Sequence, residues 1–387
     1  MNYWTHDEYS KFITSLYEIP KNITNEWMDS VLSGKEKYNG ASFASRFSHF
    51  GVCYRDLRDC DLSKLDKSHL KKLAFNSSTI FPSADKLPSD FNPKEILLNG
   101  KNPMLGIKDL HASGIDGRGI TVAVIDFGFQ DSGHVEFVGS NIEVIDLFGD
   151  TDYHFHADGV LSNLCGQNIG VAPKAKVYHY NTYQGHGEKV DKATLKILSD
   201  ILDKVKSGIK IRVVNISAPL SRDSRLLGQN MPDEQRLKLK EEIEKPFLSI
   251  IEQLKTLGCE VVSSERFSQT FSCCDVDFST KKLDKPEWLK TKRAYSDFVC
   301  FVSGGRVIPE FTSKDGYEYE TTGAYSWTIP QAIGMYCLAL QENNNLTWED
   351  FAKICKDTST LQDGVRLASP KQIIEKARQM PMENGNC

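Results

Sequence analysis

Several things are scarce or missing in this chain. It has no basic excess, since 47 Lys+Arg stand against 52 Asp+Glu for a formal net charge of −5. That balance argues against nucleic acid or an anionic membrane as a partner. No apolar run reaches the roughly 18 residues that a membrane-spanning helix needs. The first residues, Met1 to Glu8, hold neither the basic nor the apolar stretch of a secretory signal. A cytoplasmic location is therefore expected. There is no Cys-x-x-Cys pair among the 10 cysteines, and vicinal Cys273 and Cys274 alone are a weak metal signal. The cysteines are scattered and read as reduced thiols, not as a disulfide framework. Internal repeats and low-complexity segments are also absent.

What is present is enough for a substantial core. The 387 residues are 40% hydrophobic and 26% charged, which suits one large α/β domain or two ordinary ones and excludes wholesale disorder. Residues 1–100 differ in texture from the rest. They carry a short helical pattern from Glu8 to Tyr17, a charged stretch from Asp56 to Leu62, and a loop with Pro82, Pro88 and Pro93. This region reads as a small, mainly helical accessory region or prodomain, with retention favoured. Beyond it, apolar runs recur at Ile120–Ile125, Lys176–Tyr180, Ile211–Ile216, Cys259–Val262 and Phe298–Val302. Their β-branched residues and lack of polar alternation suit strands buried on both faces. Helical patterns over Asp191–Ser207 and Asp233–Leu257 separate some of them, which predicts a mostly parallel sheet between helices. The domain so defined spans 101–345. The tail, 346–387, predicts two helices packed on the core, one capped by Thr347 and one opened by a capping box at Ser369, Pro370 and Gln372.

In a parallel sheet, sites form at the carboxyl ends of strands. Asp126 directly follows such a run. His154, His156 and Asp158 precede an apolar helical stretch, and Ser326 precedes another from Gln331 to Leu340. Each has a plain structural explanation when taken alone: a turn residue, a polar helix start, an N-cap. A serine at a helix N-terminus also suits a nucleophile, because that end favours developing negative charge. Two histidines two apart face one partner only in extended chain, and no third ligand of zinc-like spacing accompanies them.

Together these segments resemble the subtilisin-like serine proteases. Ile120–Gly128 is similar to the strand that carries the family's aspartate. His156-Ala-Asp-Gly-Val160-Leu-Ser162 resembles its His-Gly-Thr-x-Val-Ala-Ser motif. Ile169–Val177 is similar to the segment that follows, and Val213–Ser217 to the strand edging the substrate cleft. Ser326 followed by Pro330 keeps the spacing of Gly-Thr-Ser-Met-Ala-x-Pro, and Gly334 falls on the family's helix glycine. The match covers about residues 103–342.

The resemblance implies a three-layer fold with a mostly parallel sheet of about seven strands. It also implies a triad of Asp126, His156 and Ser326, with peptide or protein as substrate. His154 is then a neighbour in the cleft or simply exposed. Ser217, Ala218, Pro219 and Tyr325 would line the cleft. The family's oxyanion asparagine has no counterpart, since no Asn occurs from 260 to 300; Ser264 and Arg266 are the candidate replacements. Ala157-Asp158 and Ala324-Tyr325 each replace a Gly-Thr pair, and Pro219 brings no N–H to a paired substrate. The expected activity is limited processing of a specific protein or peptide by an intracellular serine endopeptidase. The alternative is a catalytically impaired relative that binds peptides. A nucleotide-binding reading is weaker, because Gly114, Gly117 and Gly119 precede the strand rather than follow it. No cofactor is required. Calcium at Asp146, Asp150 and Asp152 is a candidate that spacing alone does not support.

Overall fold

The computed structural model describes residues 52–64, 74–89, 91–129, 131–183, 187–221, 232–277, 287–289, 298–310, 313–320, 325–362 and 364–381. The helical pattern expected at Glu8–Tyr17 and the lysines Lys281, Lys282, Lys285 and Lys290 lie outside them.

In chain order the chain forms strand β1 (Phe75–Asn76), helices α1 (Pro93–Gly100) and α2 (Ile107–Ala112), strands β2 (Thr121–Phe127) and β3 (Asn141–Ile145), and helix α3 (Phe155–Cys165). Next come β4 (Lys176–Thr182), α4 (Glu188–Lys206), β5 (Ile211–Ile216), α5 (Asp233–Thr256), β6 (Glu260–Val262) and α6 (Ser264–Ser268). Strands β7 (Phe271–Asp277), β8 (Glu287–Leu289), β9 (Val299–Val302), β10 (Arg306–Pro309) and β11 (Tyr317–Glu320) follow. The chain continues with α7 (Tyr325–Glu342), α8 (Trp348–Thr358), β12 (Thr360–Gln362), β13 (Val365–Leu367) and α9 (Pro370–Gln379).

The central sheet is parallel, in the order β3-β4-β2-β5-β6. Alternation along β2 assigns its side chains to two cores. Val122 and Val124 meet Val160, Leu161 and Leu164 of α3 and Ile329, Ala332 and Ile333 of α7. Ala123 and Ile125 meet Ile197, Leu198 and Ile201 of α4 and Phe247 and Leu254 of α5. Helix, sheet and helix thus form three layers, as the apolar runs predict. The strand order reverses around β2, so the carboxyl ends of β2 and β5 lie side by side at the place where such sheets build sites.

The expected seven strands are divided. The next parallel pair, β7 and β9, belongs to a second sheet in the order β12-β13-β9-β7-β8, and among the described residues β6 is not paired with β7. The cause is local. Ser263 accepts the N–H of Arg266 and starts α6 directly after β6, so that connection is helix rather than paired strand. A third sheet joins β1 to the β10–β11 hairpin. Its apolar cluster gathers Val52, Leu57, Phe75, Phe91 and Ile96 with Val276, Val302, Val307, Tyr317 and Tyr319. The described residues between 52 and 100 thereby share one core with β7, β9, β10 and β11.

At the tail, Thr347 and Asp350 form a reciprocal capping box on α8. The box expected at Ser369 does not form, because Ser369 is the N-cap of α9 but its side chain makes no cap hydrogen bond. Among the described residues no helix is long and apolar enough to cross a membrane.

Candidate active site

The site begins at the end of β2. Asp126 is 4% exposed, and its Oδ1 accepts the Phe127 N–H at 2.8 Å and His156 Nδ1 at 2.7 Å. Burial alone would raise its pKa. The charge and hydrogen bond of His156, the charge of His179 and the Phe127 N–H outweigh burial and hold the carboxyl below its ordinary range. His179 sits behind it on β4 and donates from Nε2 to the Phe127 carbonyl at 3.0 Å.

His156 is delivered by the start of α3. His154 is the N-cap there, and its Nδ1 accepts the His156 N–H at 3.2 Å. It is buried, at 5% exposure, so the exposed alternative for His154 is corrected. The turn before α3 is stitched to the end of β2, where Gly128 N donates to the Asp152 carbonyl at 3.1 Å and His154 N donates to the Gly128 carbonyl at 2.9 Å. A Cβ at residue 128 would collide with the Asp152 backbone, so this stitch requires glycine. It brings Asp126 and His156 together.

The imidazole of His156 packs against two rings, Phe127 at 5.4 Å and Trp327 at 5.2 Å, centroid to centroid. Trp327 directly follows Ser326, so this contact sets the first turn of α7 beside the imidazole. It also explains Gly159 on α3, where a Cβ would collide with the Trp327 ring. Gly159→Ala is expected to lose stability despite the roughly 1 kcal/mol helix-propensity gain, because overpacking typically costs about 1–3 kcal/mol. Urea titration measures the net sign, and Ser326 reactivity should fall with it.

Ser326 stands in the first turn of α7, not before the helix as an N-cap. Pro330 has no N–H to offer the Ser326 carbonyl four residues back. Ser217, just after β5, fills the gap, with Oγ donating to the Ser326 carbonyl at 3.2 Å. In return Ser326 Oγ donates to the Ser217 carbonyl at 3.3 Å. Among the described contacts it makes no hydrogen bond to His156. Tyr325 packs edge-on against Phe267 of α6 at 5.5 Å, and Ala218 and Pro219 lie half-buried beside Ser217.

The two oxyanion candidates part company. Arg266 Nη2 lies 2.9 Å from Glu260 and 3.5 Å from Glu349, so its charge is committed to those carboxylates. Ser264 donates its N–H to the Ala218 carbonyl at 3.0 Å, while its buried hydroxyl has no partner among the described residues. The loop acids are also engaged. Asp146 accepts from the N–H groups of Phe148 and Gly149 and the hydroxyl of Thr151, and Asp150 accepts from Tyr183. Among the described residues no three His, Cys, Asp or Glu side chains group to hold a metal. The nine described cysteines stand as thiols rather than disulfides.

Sequence reasoning passed over Trp327, His179 and the capping role of His154. The Ser-Trp dipeptide and the small Gly159 were the available signals for the first, because a large ring beside a glycine marks a close approach.

No protein-family model matches the chain. It is 22% identical over 367 residues to serine protease AprX of Bacillus subtilis (strain 168), covering 83% of this chain and 77% of that protein. Among solved structures, it resembles the prenylagaramide maturation protease PagA at 16% identity and TM-score 0.47, over 71% of this chain and 99% of that one. It also resembles a cold-adapted subtilisin-like serine proteinase at 18% identity and TM-score 0.43, over 65% and 89%.

Proposed function

We propose, on the premise that this chain is subtilisin-like, that it is a serine endopeptidase using Ser326, His156 and Asp126. The observation that carries the reading is the 2.7 Å bond from buried Asp126 to His156, whose ring packs on Trp327 beside Ser326. In this scheme Ser326 Oγ attacks a peptide carbonyl. His156 Nε2 takes the hydroxyl proton and returns it to the leaving amine. Asp126 keeps the other ring nitrogen protonated and stabilises the imidazolium. The oxyanion is met by the Ser326 backbone N–H and the unpartnered Ser264 hydroxyl. Water then hydrolyses the acyl-enzyme.

Limited processing of a specific protein or peptide fits a cleft bordered by Pro219, which has no N–H, and by Tyr325. Cysteines held as thiols suit a cytoplasmic setting. Retention of residues 1–100 is supported by the described part of that region, which shares a core with β7, β9, β10 and β11.

A second reading, peptide binding without hydrolysis, is favoured by the Ser326 hydroxyl bonding to Ser217 rather than to His156. Fluorophosphonate treatment of the full chain, with peptide mass mapping, decides between them. Modification at Ser326 is the expected result, and folded protein that stays unmodified sinks the protease reading.

A further inference from the structure

The residue after Ser326 is larger than the matched motif asks for. Gly-Thr-Ser-Met-Ala-x-Pro puts a methionine there, and this chain has Trp327. Helix α3 makes the room. His156 and Gly159 stand three apart on it, so they share one face of the helix. A Cβ at Gly159 would collide with the indole, and the imidazole of His156 packs on the same ring. One indole therefore covers both positions. At 3% exposure it offers little surface to a substrate, so its size calls for an explanation inside the protein.

The contact has a definite form. The centroids of the His156 and Trp327 rings are 5.2 Å apart and their planes are 33° from parallel. That is closer to offset stacking than to an edge-on contact. Phe127 of β2 approaches the imidazole at 5.4 Å and 57°, and His154 at 6.4 Å. Asp126 of β2 holds Nδ1 at 2.7 Å. A neutral imidazole gains only packing from the indole. A charged one gains more, because the negative face of the ring attracts a cation within about 6 Å of its centroid, and tryptophan does this best. Water competes little, since the His156 side chain is 15% exposed.

We propose that Trp327 is a positioning residue for His156: its indole keeps the imidazole on Asp126 and stabilises the imidazolium that forms while Ser326 is acylated. This role rests on the triad reading above. In acylation the Ser326 hydroxyl proton passes to His156 Nε2 as Oγ bonds to the carbonyl carbon, and the carbonyl π electrons move onto oxygen. The imidazolium gives that proton to the leaving amine as the C–N bond breaks. The ring is charged only between those two transfers. The stack therefore acts more strongly there than on the resting protein, which is the condition for accelerating the step. Ser326 and Trp327 are consecutive, so the docking that supplies the ring also places the nucleophile.

The test keeps the ring and changes only its face. Fluorinated tryptophans are nearly the size of tryptophan, and each added fluorine weakens the negative potential over the indole. The full chain is made with tryptophan, monofluorotryptophan or tetrafluorotryptophan, and fluorophosphonate labelling of Ser326 is resolved into a binding constant and a maximal rate. The maximal rate should fall stepwise, by about 2- to 30-fold for the tetrafluoro ring, while the binding constant holds. In Trp327→Phe the same series should show no step, which separates this indole from Trp4, Trp27, Trp288 and Trp348. A ring that merely packs would leave the three rates equal, and that result overturns the proposal. An equal fall in Trp327→Phe overturns it too. If the unsubstituted protein takes no label, the triad reading fails separately, and the His156 imidazole resonances decide. They should need more acid to protonate in the tetrafluoro protein, and identical titrations refute the stabilising stack.

Discussion

Replacing Ser326 with alanine is expected to lower peptide hydrolysis by about 10⁶-fold in kcat, the scale on which loss of a triad serine acts. This expectation holds whatever the substrate. Only the Oγ can form the acyl-enzyme, and a methyl group in its place would leave His156 with no proton to accept. The fold should survive the change. Ser326 donates to the Ser217 carbonyl, which is a single hydrogen bond in a half-buried place, and such a bond contributes about 1 kcal/mol net. The reciprocal bond, from Ser217 to the Ser326 carbonyl, uses backbone and remains. The measurement is turnover of a general protease substrate such as unfolded casein, beside urea denaturation of both proteins. A variant that keeps wild-type turnover at equal stability would remove Ser326 from the mechanism altogether.

Replacing Asp126 with asparagine should cost about 10⁴-fold in kcat, as loss of a triad carboxylate does. Asp126 Oδ1 now receives both the Phe127 N–H and His156 Nδ1. An asparagine can keep the first bond, but where its amide donates to the ring it selects the wrong tautomer and leaves Nε2 protonated. The variant also separates chemistry from stability. Because the folded carboxyl titrates below its ordinary value, ionised Asp126 stabilises the fold above about pH 3.9, the unfolded value, and that contribution is lost as pH falls through the lower folded value. Asp126→Asn should therefore lose stability relative to wild type at neutral pH, and the difference should shrink in acid. Denaturation midpoints at pH 7 and pH 3 measure this, while turnover at pH 7 measures the catalytic loss. Equal turnover would mean that His156 does not need the carboxylate.

The layered core was legible because it depends on one-dimensional pattern. Uninterrupted β-branched runs such as Val122–Ile125 can satisfy both faces only between two helical layers, and they do. Asp126 was legible for the same reason: it is the polar residue that interrupts an apolar strand near its carboxyl end. What could not be read depends on partners distant in sequence. Arg266 stood as an oxyanion candidate until its neighbours Glu260 and Glu349 were placed. The exposed alternative for His154 stood open because its burial comes from packing on Phe127, at 4.9 Å, and from its capping role. The division after β6 was hidden because the family pattern supplied a strand count, whereas pairing depends on what Ser263 does to the next five residues. Ser369 failed as a capping box although it stands where the motif asks, since spacing permits the hydrogen bond without compelling it.

The stitch between Gly128 and the Asp152–His154 turn also has a consequence in time. It closes a short loop, and the Asp126–His156 bond spans 30 residues. Ser326 comes 170 positions after His156. Short closures form early and cheaply, while distant ones wait for the chain to be made and folded. On the ribosome, synthesised from the N-terminus, the acid and base have all the sequence they need while the serine is still unwritten. Under the proposed triad, Asp126 and His156 can thus meet through residues made early, and Ser326 joins them only when α7 brings Trp327 against His156.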